Sequence, residues 1–320
     1  MKKPIYIDTD VGNDDLIAIL MLQLSKKFNI KAFSTVYGVS ETNLGTSNLA
    51  RILTFINNPI PIIKGKTRAM NRNWQAVFPK IDRVRANKLT LLEKIPLPQD
   101  PSPKILVYNS LDKLADLIKS ERQKITLVCL GPLTNIATLI EKCRDTLIVK
   151  VDQIILMGGA FKSMPGPPLS QDILDYNLYL DPEAADIIFN SSIPTTIIPI
   201  NATLYVPAMV PLVKNQLKKT LEQFNQNLKQ KRLTKKNSLV IRELILKNNY
   251  DFNCYYDPLV SAAMIDPNIV TKTYRGRIQV NLAGKNRGQT KLIPSKTKAV
   301  KIISGVKAEK FYRLLLNLLT

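Results

Sequence analysis

The stretch Ile5-Tyr6-Ile7-Asp8-Thr9-Asp10-Val11-Gly12-Asn13-Asp14-Asp15 decides the reading of this chain. Its apolar start reads as a buried strand. Four carboxylates then fall within eight positions, and from Leu16 to Leu24 the pattern turns apolar and helical. Like charges packed at the end of a strand cost free energy unless a cation holds them. A hard divalent ion with oxygen ligands is the economical partner. The place agrees, because open α/β sheets bind ligands outside the carboxyl ends of their strands.

Working outward, apolar β-branched segments alternate with helical ones. Strands are expected over residues 4–7, 30–36, 60–64, 125–130, 153–157, 195–200, 276–280 and 299–303. Helices are expected over 14–26, 43–57, 110–120, 134–142, 182–190, 259–264 and 308–318, with long amphipathic helices between 211 and 250. This order predicts an α/β fold with a mostly parallel central sheet, helices on both faces and a Rossmann-like open edge. Residues 68–104, rich in Pro, and 160–175, rich in Pro and Gly, read as irregular excursions of the kind that carry binding loops. No repeat or linker divides the 320 residues, so one domain over 1–320 is expected.

Composition narrows the chemistry. There is no histidine, which excludes Ser-His-Asp and Cys-His catalysis and histidine-ligated zinc. Proton transfer falls to carboxylates, Tyr, Lys or Cys. The three cysteines, Cys129, Cys143 and Cys254, and the absence of an apolar leader after Lys2 and Lys3 lead us to expect reduced thiols and a cytoplasmic protein. With 45% hydrophobic residues and a mean hydropathy of −0.04, no run spans a bilayer, and no membrane partner is expected. The net charge of +21 and pI of about 9.8 fit a nucleic-acid or acidic partner. They fit better a Lys-, Asn- and Ile-rich composition whose excess lies partly between residues 211 and 250. No basic motif interleaved with aromatics accompanies it.

Two readings of the acidic stretch compete. A strand ending in Asp-x-Asp also opens the haloacid-dehalogenase-like phosphatases, in which Asp8 would be the nucleophile beside Mg²⁺. The following Gly12-x-Asp14-Asp15 is foreign to them. An EF-hand fails too, because Gly12 comes too early.

The stretch Asp8-Thr9-Asp10-Val11-Gly12-Asn13-Asp14-Asp15 resembles the opening Asp-x-Asp-x-Gly-x-Asp-Asp of the inosine-uridine preferring nucleoside hydrolase family. The resemblance continues in order: Leu130-Gly131-Pro132-Leu133-Thr134-Asn135, then Met157-Gly158-Gly159-Ala160, then Asp175-Tyr176-Asn177 with Asp181-Pro182-Glu183-Ala184-Ala185, then Asp257-Pro258-Leu259, and Gly288-Gln289-Thr290. It implies a Ca²⁺ ion held by Asp10, Asp15, the carbonyl of Leu130 and Asp257. It also implies that Asp10 takes a proton from a water on that ion. Asp14, Asp175 and Asn177 would hold the ribose, with Met157 either a contact or core. The implied reaction is hydrolysis of an N-glycosidic bond to ribose and base, in the service of purine and pyrimidine salvage, by a usually homo-oligomeric protein.

Four positions depart from many members. Gly38 is followed by Val39 rather than Asn. The loop Pro165-Gly166-Pro167-Pro168 has no Asn. Asp175 replaces Glu, and Tyr256 replaces His. A branch of the family shares the aromatic residue before the late Asp, the Gly38-Val39-Ser40-Glu41 turn and Phe78-Pro79, and through it Glu41 and Tyr256 become candidate substrate contacts. Tyr256 would donate a proton or stack on a base, and Tyr255 reads as packing. The departures lie on the sugar side and spare the metal side. They leave open a metal-binding relative that acts through binding. Asn135 and Asp181 read as structural, Asp181 as a helix cap with Pro182 in the first turn.

Overall fold

The computed structural model describes residues 2–164, 166–170, 173–209, 215–248, 251–295 and 300–320. In chain order the elements are β1 (Lys3–Thr9), α1 (Asn13–Ser25), β2 (Phe28–Thr35), α2 (Thr42–Phe55), β3 (Ile62–Lys64), α3 (Lys80–Lys88), β4 (Val107–Tyr108) and α4 (Leu111–Ser120). There follow β5 (Ile125–Cys129), α5 (Thr134–Lys150), β6 (Val151–Met157), α6 (Tyr176–Leu180), α7 (Pro182–Asn190), β7 (Thr195–Ile198) and α8 (Ile200–Thr203). The chain continues through α9 (Asn215–Gln230), α10 (Lys236–Leu246), α11 (Tyr256–Ile265), β8 (Val270–Val280), β9 (Thr290–Pro294), β10 (Val300–Val306) and α12 (Ala308–Leu318).

The strands form one sheet in the order β4-β3-β2-β1-β5-β6-β7-β10-β8-β9. Pairing is parallel from β4 through β10, while β8 pairs antiparallel with both β10 and β9. Chain order reverses direction beside β1: β2, β3 and β4 build outward on one side, β5, β6 and β7 on the other. Ligand crevices of open α/β sheets form at such a switch point, beyond the strands' carboxyl ends. There the Leu130 N–H donates to the Asp8 carbonyl at 2.8 Å and locks the ends of β1 and β5 together.

Two apolar layers explain the helices. α1 is buried from Leu16 to Leu22 in a layer shared with α2, α9, α10, α11 and α12. The other face of the sheet packs on α4, α5 and α7. Near-continuous apolar strands such as β5, buried at every residue, are what a sheet covered on both faces requires.

The structure corrects the sequence reading in places. Residues 68–104 are not wholly irregular: α3 lies within them. It carries Lys80, Asp82, Arg83, Arg85 and Lys88 and buries only Ala86, so it lacks the apolar stripe that marks a helix in sequence. α5 continues past residue 142, because the backbone leaves helical values at Cys143 (φ −144°, ψ 46°) and then resumes. The short β4 and the edge strand β9 had no clear strand signature. Pro165, residue 299 and the ends of the basic stretch, 211–214 and 249–250, lie outside the described residues. Among the described residues no helix is long and apolar enough to cross a membrane.

Candidate active site

The loop after β1 holds its acids by local bonds. The Val11 N–H donates to Thr9 Oγ1 at 3.0 Å, Thr9 Oγ1 donates to Asp15 Oδ1, and the Gly12 N–H donates to Asp15 Oδ2 at 3.0 Å. Val11 is buried with φ at +58°, a backbone state that costs a β-branched residue free energy and persists where surroundings impose it. Its carbonyl accepts from Ser40 Oγ at 3.1 Å. Asp10 Oδ2 accepts the Val39 N–H at 2.7 Å. A Cβ at Gly38 would fall inside the Asp10 carboxylate, and one at Gly131 would lie 2.9 Å from the Asp10 nitrogen. Glycine at both positions lets two backbones close on Asp10.

Asp14 and Asp15 sit in the first turn of α1, and Asp257 in the first turn of α11. Positive helix ends favour carboxylates there. One ligand oxygen from each of the three lies within 4.8 Å of the others, an arrangement that could hold a metal ion. Asp257 Oδ1 is buried with no hydrogen-bond partner among the described residues. An orphaned carboxylate oxygen facing two more carboxylates fits a hard cation, which takes oxygen ligands at varied angles. Burial and mutual repulsion push Asp15 and Asp257 well above the usual carboxylate range, and Asp14 up to about 7. Burial raises Asp10 to about 6.

These groups floor a cavity of about 340 Å³. Asp10, Asp14, Asp15, Asp82, Asp175, Asp251 and Asp257 all line it, and among the described residues no Lys or Arg does. Seven of the chain's 25 acids thus gather here, despite a net charge of +21. Asp10, Asp14, Asp15, Leu130, Met157, Asp175, Asn177, Tyr256 and Asp257, all singled out from sequence, meet in this one space. Asp10 stands beside the closest acid trio rather than within it.

The facing wall is built from α6. Asp175 caps that helix, its Oδ1 accepting the Leu178 N–H at 3.0 Å, and burial raises it to about 6. Asn177 Nδ2 donates to the Leu130 carbonyl at 2.8 Å and to the Met157 carbonyl at 3.3 Å, with Met157 Sδ at 3.6 Å. It therefore ties α6 to the ends of β5 and β6. Phe78 stacks on Tyr176 with centroids 4.5 Å apart, and Phe78, Asp82 and Ala86, spaced four apart, present one face of α3 and its lead-in to the cavity. Tyr256 lines the space with its hydroxyl pKa raised by burial.

Other expectations resolve plainly. Asp8 is not in the cavity: Oδ1 accepts from Ser34 Oγ and from Asn135 Nδ2 at 2.7 Å, and Oδ2 is buried without a partner. The phosphatase reading with Asp8 as nucleophile is thereby overturned, since no substrate reaches it. Glu41 also stands apart. It precedes α2, its N–H donates to Asn87 Oδ1 at 2.9 Å, and its exposed carboxylate faces Arg83 at 3.7 Å. Asn135 is structural, since it also reaches the Thr35 carbonyl and accepts the Lys66 N–H at 2.8 Å. Tyr255 is buried in an aromatic core with Phe224, Phe252 and Phe311. Asp181 caps α7. Asp82, Asp251 and Tyr176 were not anticipated; an isolated acid just after a basic run was the only mark of Asp251.

Fold and site together define an α/β protein with a carboxylate-floored, cation-type pocket at the switch point of its sheet. Within that class, the chain belongs to the inosine-uridine preferring nucleoside hydrolase family, whose model matches residues 5–313. Over 207 residues it is 34% identical to the pyrimidine-specific ribonucleoside hydrolase RihA of Photobacterium profundum, covering 63% of this chain and 62% of that protein. The RihA of a Shewanella species is 34% identical over 204 residues, 63% of this chain and 60% of its own length. The match thus spans about three fifths of these relatives. A plant nucleoside hydrolase structure superposes with a TM-score of 0.80 at 27% identity, over 100% of this chain and 99% of that one. A purine-preferring ribonucleoside hydrolase from Gardnerella vaginalis gives 0.79 at 24% identity, over 99% and 98%, a likeness of fold.

Proposed function

We propose that the protein hydrolyses the N-glycosidic bond of a ribonucleoside or related N-riboside and does so with Ca²⁺. The observation that carries this is the convergence of Asp14, Asp15 and Asp257 within 4.8 Å on the floor of a cavity whose other wall offers Asp175 and Asn177. Asp10, Asp15, Asp257 and the Leu130 carbonyl would hold the ion, with Asp14 beside them facing the sugar. Bound there, it would neutralise the acids and lower the pKa of a water held among them.

The chain's own groups do the rest. Asp10, raised to about 6 by burial and fixed by the Val39 N–H, accepts a proton from the attacking water. The water oxygen bonds to C1′ as the bond from C1′ to the base nitrogen breaks, and the electron pair leaves with the base. The remaining carboxylates stabilise the positive charge that spreads over the ribose in the transition state. Asp14, Asp175 and Asn177 position the sugar. Phe78 and Tyr176 offer an aromatic face to the base, and Tyr256, whose proton burial retains, lines the same cavity and would be the donor to the leaving base.

A cytoplasmic setting, a salvage role and a homo-oligomeric state are parts of the same proposal and rest on the family resemblance and the three free cysteines. Release of free base from a ribonucleoside panel, pyrimidine nucleosides first, is the test. Release that stops with chelator and returns with Ca²⁺ is expected. Calcium binding without release from any nucleoside overturns the hydrolase reading in favour of a relative that only binds.

A further inference from the structure

A second cavity, of about 290 Å³, adjoins the first. Ile173, Leu174 and Asp175 line both, so a single segment of chain separates them. Their chemistry is opposite. Among the described residues the first cavity is lined by seven carboxylates and no Lys or Arg. Among the described residues the second presents Lys162, Ser163, Asn281, Gln289 and Lys291 and, apart from the shared Asp175, no acid. Two ammonium groups with hydroxyl and amide neighbours are the donor set that holds a phosphate.

The lysines are carried on anchored backbone. The Ala160 N–H donates to Thr290 Oγ1 at 3.2 Å, and that hydroxyl donates to the Ala160 carbonyl at 3.3 Å, which clips the Lys162 segment to β9. The Gly288 N–H donates to the Asn281 carbonyl at 2.7 Å, and the Asn281 N–H to the Gln289 carbonyl at 2.9 Å. Gly288, at φ +82°, lies against Tyr179 of α6, so the turn before Lys291 is seated on the element that also carries Asn177.

The geometry of ribose connects the two spaces. With the 2′ and 3′ hydroxyls on the acids, the base and C5′ leave the ring on either side of its oxygen. With the base on the aromatic side, toward Phe78, C5′ would fall on the side of Asp175, which both cavities share. We propose that the second cavity receives a phosphate on the ribose 5′ oxygen, so that the site takes ribonucleoside 5′-monophosphates. The inference rests on the hydrolase reading for the orientation of the sugar. The lysines of the second cavity attract an anion, so the phosphate would draw the 5′ end of the substrate there.

Calorimetry on the Ca²⁺-loaded protein, with ribose and ribose 5-phosphate as probes, tests the cavity without turnover. Wild type should bind ribose 5-phosphate about tenfold or more tighter than ribose, and the Lys162→Ala/Lys291→Ala variant should lose that preference. Equal binding of the two sugars, or a preference that survives in the double variant, overturns the inference. Base release from a nucleoside and its 5′-monophosphate runs alongside. Release from the nucleoside with no phosphate preference in binding removes the inference and leaves the hydrolase reading standing. A lysine-dependent phosphate preference with no release from either substrate keeps the anion cavity and removes the hydrolase reading.

Discussion

The two walls of the cavity are built on different physical principles. The floor concentrates unfavourable terms: a β-branched residue at positive φ, carboxylates side by side, and an orphaned oxygen on Asp257. Glycines at 38 and 131 and a chain of local hydrogen bonds hold it there. The facing wall is comfortable. Asp175 caps a helix, Asn177 closes bonds to two carbonyls, and Phe78 stacks on Tyr176. A surface that stores repulsion is waiting for a cation, whereas one already satisfied can only position a ligand. Changes on the floor should therefore cost chemistry and relieve strain, and changes opposite should cost binding.

The widest separation is expected for Asp10→Asn. Base release should fall about a thousandfold, the scale of losing a positioned base. The metal-free variant should melt no lower than wild type, because one member of a repelling group has been neutralised. Activity assays paired with calorimetry in chelator check both halves. A variant that loses activity only because it unfolds would remove the contrast. Next in size is Asn135→Ala, about 3 kcal/mol of stability by denaturant titration, because it leaves Asp8 Oδ1 and the Lys66 N–H short of partners. Its loss should appear in folding, with kcat per folded molecule little changed.

The two walls also differed in how far the sequence revealed them. The floor was legible because its signal is local: apolar strand, clustered acids and helix follow within one short run, and Asp257-Pro258 announces a second helix start. The resemblance then supplied Leu130 and Asn177. The roof was not legible. α3 is mostly charged and exposed, and the Phe78–Tyr176 stack joins segments far apart in the chain. Motif likeness also misled, since Glu41 follows the matching turn yet faces Arg83 and solvent. Whether a motif residue reaches the site depends on the turn's orientation, which spacing does not encode.

Stability against pH sharpens the picture of the floor. Folding raises Asp8 and Asp14 to about 7 and Asp10 to about 6. Raised carboxylates make the native state hold more protons than the unfolded chain between their ordinary values, near 4, and those raised ones. The metal-free protein should therefore lose stability as pH rises from about 5 to 8, by about 2 kcal/mol or more, a fall in Tm of about 4 °C. Ca²⁺ should cancel most of that slope by taking the place of the protons. A Tm in chelator that rises over this window would mean the acids are paired by something other than a cation.

The smallest effect belongs to the facing wall. Phe78→Ala removes one ring of the stack with Tyr176 and opens the roof between α3 and α6. Aromatic stacking on a base contributes about 1–3 kcal/mol where it is complete. Phe78 is only half-buried, so the low end applies, about tenfold in kcat/KM. The loss should sit in KM. Asp10 and the acid trio are untouched, and the ring contacts the leaving base rather than the carbon under attack. Should kcat fall instead while KM holds, the roof would be acting on the departing base in the transition state, and the division between a floor that reacts and a wall that binds would have to be redrawn.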